Sequence, residues 1–172
     1  MGFQRSKLSG FLLIGLLALT LSACGVYSFT GASIPPEAKT ISVQYFANVA
    51  PLINPTLSQV FTDIVRDRFI NQTRLSLVTR SGDLQLEGEI VGYSVSPVAI
   101  QGNDQAALNR LSITVNVRYS NKFTPAQDFE TKLTRFEDFS SSQSLSSVEG
   151  SLVELISKQL ADDIFNKSVA NW

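Results

Sequence analysis

Residues 110–119 read RLSITVNVRY, a strict alternation of polar and apolar side chains. The apolar side chains of this stretch are Leu111, Ile113, Val115, Val117 and Tyr119. Successive side chains of a strand point to opposite faces, so this spacing predicts a strand with one buried and one polar face. We therefore expect a sheet that is covered on one face only.

Shorter patterns on either side of this strand predict the rest of the sheet. Apolar runs or alternation predict strands over residues 40–46, 75–78, 84–95 and 129–139. Gly88 and Gly92 interrupt the third of these and indicate a bulge or a close approach of two backbones. In the last strand the apolar parity changes between Leu133 and Phe136, which predicts a second bulge.

Two amphipathic helices are predicted, one between the first two strands and one after the last strand. Asn54 and Pro55 suit the cap and the first position of a helix, and apolar residues follow at helical spacing as far as Phe69. A serine-rich link over residues 140–147 precedes the second helix. Ser146 and Glu149 have the spacing of a capping box at its start.

These elements predict an α+β fold, a two-layer sandwich with one mixed sheet of four to five strands and two helices packed on one face. The other sheet face is then polar and uncovered. Four of its side chains are candidate contact residues for a partner: Arg110, Asn116, Arg118 and Lys132. Such a face can simply be solvated, can dock inside a polar partner, or can meet anionic groups through its arginines.

Composition argues against most enzymes. The chain has no histidine and one cysteine, which excludes histidine-based triads, histidine metal sites and an internal disulfide. A net charge of −1 is not that of a nucleic-acid-binding protein. The paired carboxylates Glu137-Asp138 and Asp162-Asp163 diverge on a strand or helix, and no spacing selects a serine–lysine pair. We therefore predict no catalytic residue, no metal ligand and no enzymatic activity.

The N-terminal region has the pattern of a bacterial lipoprotein signal. Arg5 and Lys7 precede 11 uncharged residues, a run too short to span a bilayer but long enough for a signal peptide. The run ends in a lipobox that comprises Leu21, Ser22, Ala23 and Cys24. The weaker alternatives are an ordinary signal peptide cleaved near Ala23 and an N-myristoylation pattern over residues 1–6.

This signal divides the chain into three parts. Residues 1–23 are the predicted signal peptide, residues 24–39 an acylated tether, and residues 40–172 a single domain. We expect export through the Sec pathway and a covalent diacylglycerol with an N-acyl chain such as palmitate on Cys24, with no other cofactor. Gly25, rather than aspartate, follows the cysteine, which favours anchoring in the outer membrane.

Several short motifs resemble those of one known family. They are CGVYSFTG at 24–31, Pro35-Pro36, TISV at 40–43 and GDLQLEG at 82–88. In this order behind a lipobox they resemble the lipopolysaccharide-assembly lipoproteins of the LptE family, in the version of Bacteroidetes-type bacteria. The resemblance extends over essentially the whole chain after Cys24.

The resemblance implies a lipoprotein that plugs and helps assemble the outer-membrane barrel LptD, which places lipopolysaccharide in the outer leaflet. It implies the LptD-type barrel as partner, lipopolysaccharide as a further candidate ligand, and the membrane as anchor. Only Cys24 carries over directly, because the loop at 102–105 has no basic residue, and Arg110 and Arg118 are candidates by position. The alternative is a lipoprotein binding module of another envelope complex.

Overall fold

The computed structural model describes residues 34–52, 54–98 and 108–170 of the 172-residue chain. The predicted signal peptide, the lipobox residues Leu21, Ser22, Ala23 and Cys24, and the loop at 102–105 lie outside the described residues.

Six strands form one mixed sheet: β1 (Thr40–Val43), β2 (Ala47–Asn48), β3 (Ser76–Val78), β4 (Leu84–Val98), β5 (Leu108–Asn121) and β6 (Phe129–Ser140). Their order is β3-β1-β4-β5-β6, with β2 also beside β4. Strands β1, β2 and β3 pair in parallel with their neighbours, whereas β4, β5 and β6 are antiparallel. The sixth strand arises because the segment predicted as one strand over 40–46 ends at Val43, and two residues then pair again.

Two helices form the second layer, α1 (Leu57–Gln72) and α2 (Leu145–Val169). Helix α2 packs against β5 and β6, and α1 packs against α2 and against β1, β2 and β3. The apolar side chains Leu111, Val115 and Val117 of β5 are fully buried in this layer. Aromatic side chains join the layers and the helices: the rings of Phe46 and Phe61 lie 5.0 Å apart in an edge-to-face contact. The predicted two-layer α+β fold is confirmed.

The start of each helix is held by one polar cluster. Helix α1 begins at Leu57 after Thr56, two residues later than the predicted start at Pro55, but the Asn54 side-chain oxygen still accepts hydrogen bonds from the backbone nitrogens of Thr56 and Leu57. Its amide nitrogen donates to Glu149 of α2 at 2.9 Å, and the Tyr93 hydroxyl of β4 donates to the same carboxylate oxygen. Burial and this carboxylate raise the pKa of Tyr93. The cluster therefore ties the N-termini of both helices to the sheet.

The capping box predicted from Ser146 and Glu149 is wrong. The helix begins after Ser144, so Ser146 lies inside its first turn and Glu149 binds Tyr93 and Asn54 instead. The serine-rich link is correspondingly shorter than predicted, because Ser140 ends β6 and Leu145 begins α2.

The bulge predicted between Leu133 and Phe136 is wrong. The register of β6 against β5 is continuous from Phe129 to Ser140. Phe136 therefore lies on the open face, where it is 46% exposed, and Arg135 lies on the helix side. The bulge in this sheet falls in β4, between Ile90 and Gly92, where the glycines indicated one.

Candidate docking surface on the open sheet face

The polar side chains of β5 lie on the sheet face that neither helix covers. Their neighbours are set by the antiparallel registers, which place β4 on one side of β5 and β6 on the other. We call the surface formed by these three strands the open face. Its central residues are Glu87, Glu89, Arg110, Ser112, Thr114, Asn116, Arg118, Glu130, Lys132, Thr134, Phe136 and Asp138.

The positive charge of Arg110 is neutralised by a carboxylate of the neighbouring strand β6. Its guanidinium donates two hydrogen bonds to the Asp138 carboxylate, at 2.7 and 2.9 Å, in the bidentate geometry that suits this pair. The same group lies 3.7 Å from the centre of the Phe136 ring, a cation–π contact. The hydrogen bonds from Arg110 hold the pKa of Asp138 below its ordinary value. This end of the open face therefore presents a closed ion pair over an aromatic ring.

Arg118 is flanked by carboxylates on both sides. Its Nε lies 3.4 Å from Glu130 of β6, and its Nη1 lies 3.8 Å from Glu87 of β4. Asn116 donates to the other Glu130 oxygen at 3.1 Å. The Asn116 hydrogen bond, and then the charge of Arg118, lower the pKa of Glu130. Between the two charged ends, the hydroxyls of Thr114 and Thr134 share a hydrogen bond of 2.9 Å.

The four candidate residues therefore share one face but differ in their availability. Lys132 of β6 is directly opposite Asn116 of β5. Along β5, Arg110 precedes Asn116 and Arg118 follows it. Within residues 34–52, 54–98 and 108–170, Lys132 has no ion pair, whereas both arginines do. The carboxylates that pair with them were not among the predicted site residues. Their role depends on cross-strand register, which no local sequence pattern reports.

A second feature that the sequence did not indicate lies beside β6. A groove of about 590 Å³ runs between β6 and the C-terminal half of α2. We call it the β6–α2 groove, lined by Lys132, Leu133, Arg135, Asp163, Asn166 and Lys167. Arg135 and Asp163 form a bidentate pair across it, with both distances 2.6 Å.

The described part of the chain contains no group of three or more carboxylate or thiol side chains placed to hold a metal ion. None of its helices is long and apolar enough to cross a membrane.

By its fold and its open face, the protein belongs to the class of small α+β domains. Its uncovered sheet face is polar, and the arginines on that face are paired with carboxylates. Comparison with known proteins identifies the family. The model of the LptE family, described as lipopolysaccharide-assembly, matches residues 38–168. The chain belongs to the LptE family. Membership supports a lipopolysaccharide-assembly lipoprotein of the cell envelope and describes an assembly role rather than a reaction.

Several solved structures are similar to this chain at low sequence identity. The hypothetical protein CT253 from Chlamydia trachomatis has a TM-score of 0.53 and 8% identity, and the match covers 78% of this chain and 99% of that chain. Protein XCC0632 from Xanthomonas campestris has a TM-score of 0.50 and 13% identity, with 79% and 91% covered. The rare lipoprotein B from Shewanella oneidensis has a TM-score of 0.47 and 16% identity, with 73% and 90% covered. No curated protein matched the chain.

Proposed function

We propose that this protein is an outer-membrane lipoprotein that plugs and helps assemble an LptD-type barrel, which carries lipopolysaccharide to the outer leaflet. The open face is the observation that carries this proposal. Its arginines are paired with carboxylates from neighbouring strands. The face therefore offers many hydrogen-bonding groups, while its positive and negative charges largely balance. The interior of an outer-membrane barrel is polar, and a surface of this kind suits it.

The lipid anchor is the second part of the proposal. Ile34 packs against the core and Ala38 is buried, so the described chain is held to the domain from there onward. Cys24 lies ten residues before Ile34. Because an extended residue spans about 3.5 Å, acylated Cys24 would hold the start of the domain within about 35 Å of the membrane.

Cys24→Ala tests the anchor. We expect the variant to incorporate no labelled palmitate and to remain as an uncleaved precursor, because the thiol that receives the diacylglycerol is gone. Ser22→Gly, which keeps a small residue in the lipobox, serves as the control and should be labelled normally. Labelled palmitate on Cys24→Ala would contradict the proposed lipidation.

The partner is tested by purifying the tagged full chain from detergent-solubilised envelopes and identifying the proteins that accompany it. We expect a large barrel of the LptD type in near-stoichiometric amount. Thr114→Trp places a bulky group at the centre of the open face, outside the β6–α2 groove, and should reduce recovery of the barrel several-fold. Gln59→Trp, on the exposed side of α1, is the matched control and should not.

Recovery of a different envelope protein in place of a barrel would favour the alternative, a binding module of another envelope complex. Recovery of the barrel with both tryptophan variants would place the contact elsewhere on the domain. Lipopolysaccharide remains a further proposed ligand. Among the four candidate contacts, Lys132 is the cation that no carboxylate of the described chain neutralises.

A further inference from the structure

Strand β6 is a long outer edge of the sheet. Its 12 residues, FETKLTRFEDFS, pair with β5 on one side, and no other described strand pairs with the second side. The strand has no glycine, proline or bulge, and the strand at the opposite edge, β3, has only three residues. An edge of this length presents a row of backbone donors and acceptors that can pair with another strand.

Charged side chains on the buried side of an edge strand normally discourage such pairing. Here the domain itself satisfies the two that face α2. Arg135 binds Asp163, and Glu137 accepts a hydrogen bond from Gln159 at 2.5 Å. Both groups already have partners within the domain, so an added strand would not leave either charge without one.

The β6–α2 groove provides room for the side chains of an added strand. It borders the free edge of β6, is open to the outside and has a volume of about 590 Å³. Alternate side chains of an extended segment would point into it, because the side-chain period of a strand is two residues.

The groove has a net positive charge, which favours an acidic occupant. Lys132 and Lys167 have no ion pair among the described residues, and the Lys167 ammonium lies 5.2 Å from the centre of the Phe129 ring. Arg135 is already neutralised by Asp163. Two free ammonium groups therefore flank the edge, with no free carboxylate among the residues that line the groove.

We propose that β6 is a strand-addition site for an extended acidic segment of a partner protein. The segment adds to the outer edge of β6 as a further strand, and its carboxylates meet Lys132 and Lys167. Backbone pairing supplies the affinity and the two lysines supply the charge preference. This proposal does not depend on the identity of the barrel partner.

The test uses the detergent-purified full chain and two fluorescein-labelled synthetic peptides, (Glu-Glu-Val-Val)2-amide and (Lys-Lys-Val-Val)2-amide, whose charged side chains point to both faces of an added strand. Binding is followed by fluorescence anisotropy, and amide hydrogen exchange is followed by mass spectrometry. We expect the acidic peptide to bind about 10-fold more tightly than the basic one and to slow exchange within residues 129–140. The double substitution Lys132→Glu with Lys167→Glu should reverse this preference. Arg74→Glu, at an exposed cation that the structure places outside the groove, should not.

Three outcomes overturn the proposal. Equal binding of the two peptides would remove the charge preference. Binding that slows exchange elsewhere, with β6 unchanged, would locate the site elsewhere. Protection of β6 by phosphatidylglycerol vesicles or by self-association, without protection by the acidic peptide, would assign the groove to a lipid surface or a second copy. Because the peptides replace the natural partner, none of these results bears on recovery of the barrel.

Discussion

Two glycines lie where one backbone approaches another too closely for a side chain. A Cβ at Gly82 would fall 2.4 Å from the backbone nitrogen of Ser42, because the connection into β4 crosses β1 there. A Cβ at Gly88 would fall 2.2 Å from the carbonyl oxygen of Asn116 and 2.6 Å from the Phe46 ring. In both cases the obstacle includes backbone, which cannot move aside as a side-chain tip can.

Gly82→Ala and Gly88→Ala are therefore expected to lower the free energy of unfolding by about 2 kcal/mol or more, since the strands must separate to admit a methyl group. Gly150→Ala is the control. A Cβ there meets nothing within 4 Å, and alanine favours a helix by about 1 kcal/mol over glycine. Urea unfolding midpoints compare the three variants, and a Gly88→Ala midpoint equal to that of the unmodified protein would contradict the close approach.

At the scale of elements, Asp83 joins the starts of two strands and the end of a third. Its Oδ2 accepts hydrogen bonds from the backbone nitrogens of Lys39 and Thr40, at 3.0 and 3.2 Å, and from the Thr40 hydroxyl at 2.9 Å. Its carbonyl oxygen accepts from the backbone nitrogen of Lys122, directly after β5. The backbone hydrogen bond from Lys39, and then the Thr40 hydroxyl, lower the pKa of Asp83 below its ordinary value of 3.8.

This shift predicts a pH dependence of stability. A carboxyl group whose pKa is lower in the folded state stabilises the fold above its unfolded pKa, and that contribution is lost as pH falls through the folded pKa. We expect Asp83→Asn to reduce the loss of unfolding free energy between pH 5 and about pH 2. Asp67→Asn, at an exposed position of α1, is the control, and urea titrations at a series of pH values supply the measurement. Equal pH profiles for Asp83→Asn and the unmodified protein would remove Asp83 from this role.

At the scale of the whole molecule, one core joins both helices to the sheet. The rings of Phe69 in α1 and Phe165 in α2 lie 5.2 Å apart, and Phe46 and Phe61 join the loop after β1 to α1. Val115 is fully buried in this core, at the middle of the central antiparallel pair. A charge at this position has no partner and must be removed from water.

Val115→Asp is therefore expected to cost several kcal/mol and to unfold the domain, whose total stability should be about 5–15 kcal/mol. Ser112→Asp places the same charge on the open face of the same strand and should change stability by less than about 1 kcal/mol. Circular dichroism melting curves distinguish the two. A Val115→Asp protein that melts at the unmodified temperature would show that the helices do not cover this face.

The elements that local patterns predicted well are those whose burial follows a simple period. The alternation in β5 is of this kind and is confirmed. The glycines of β4 indicated instead a break in the period, and the bulge between Ile90 and Gly92 confirms it. The bulge predicted in β6 was wrong because Phe136, as an apolar residue, was assumed to face the core. It lies instead under the Arg110 guanidinium on the open face. The capping box was wrong because the spacing of Glu149 from Ser146 suited a local cap. The actual partners of Glu149, Tyr93 and Asn54, are 56 and 95 residues away along the chain.

The sequence by itself determined the two layers and the polar character of the uncovered face, because the periods of a strand and a helix are local properties of the chain. The tertiary structure alone decided which charges on that face remain free. On that face Arg110 meets Asp138 across 28 residues, and on the helix side of β6 Arg135 meets Asp163 across another 28. Such pairs depend on strand register and on the packing of α2 against β6, and both are set by the burial of the whole core rather than by any neighbouring residues.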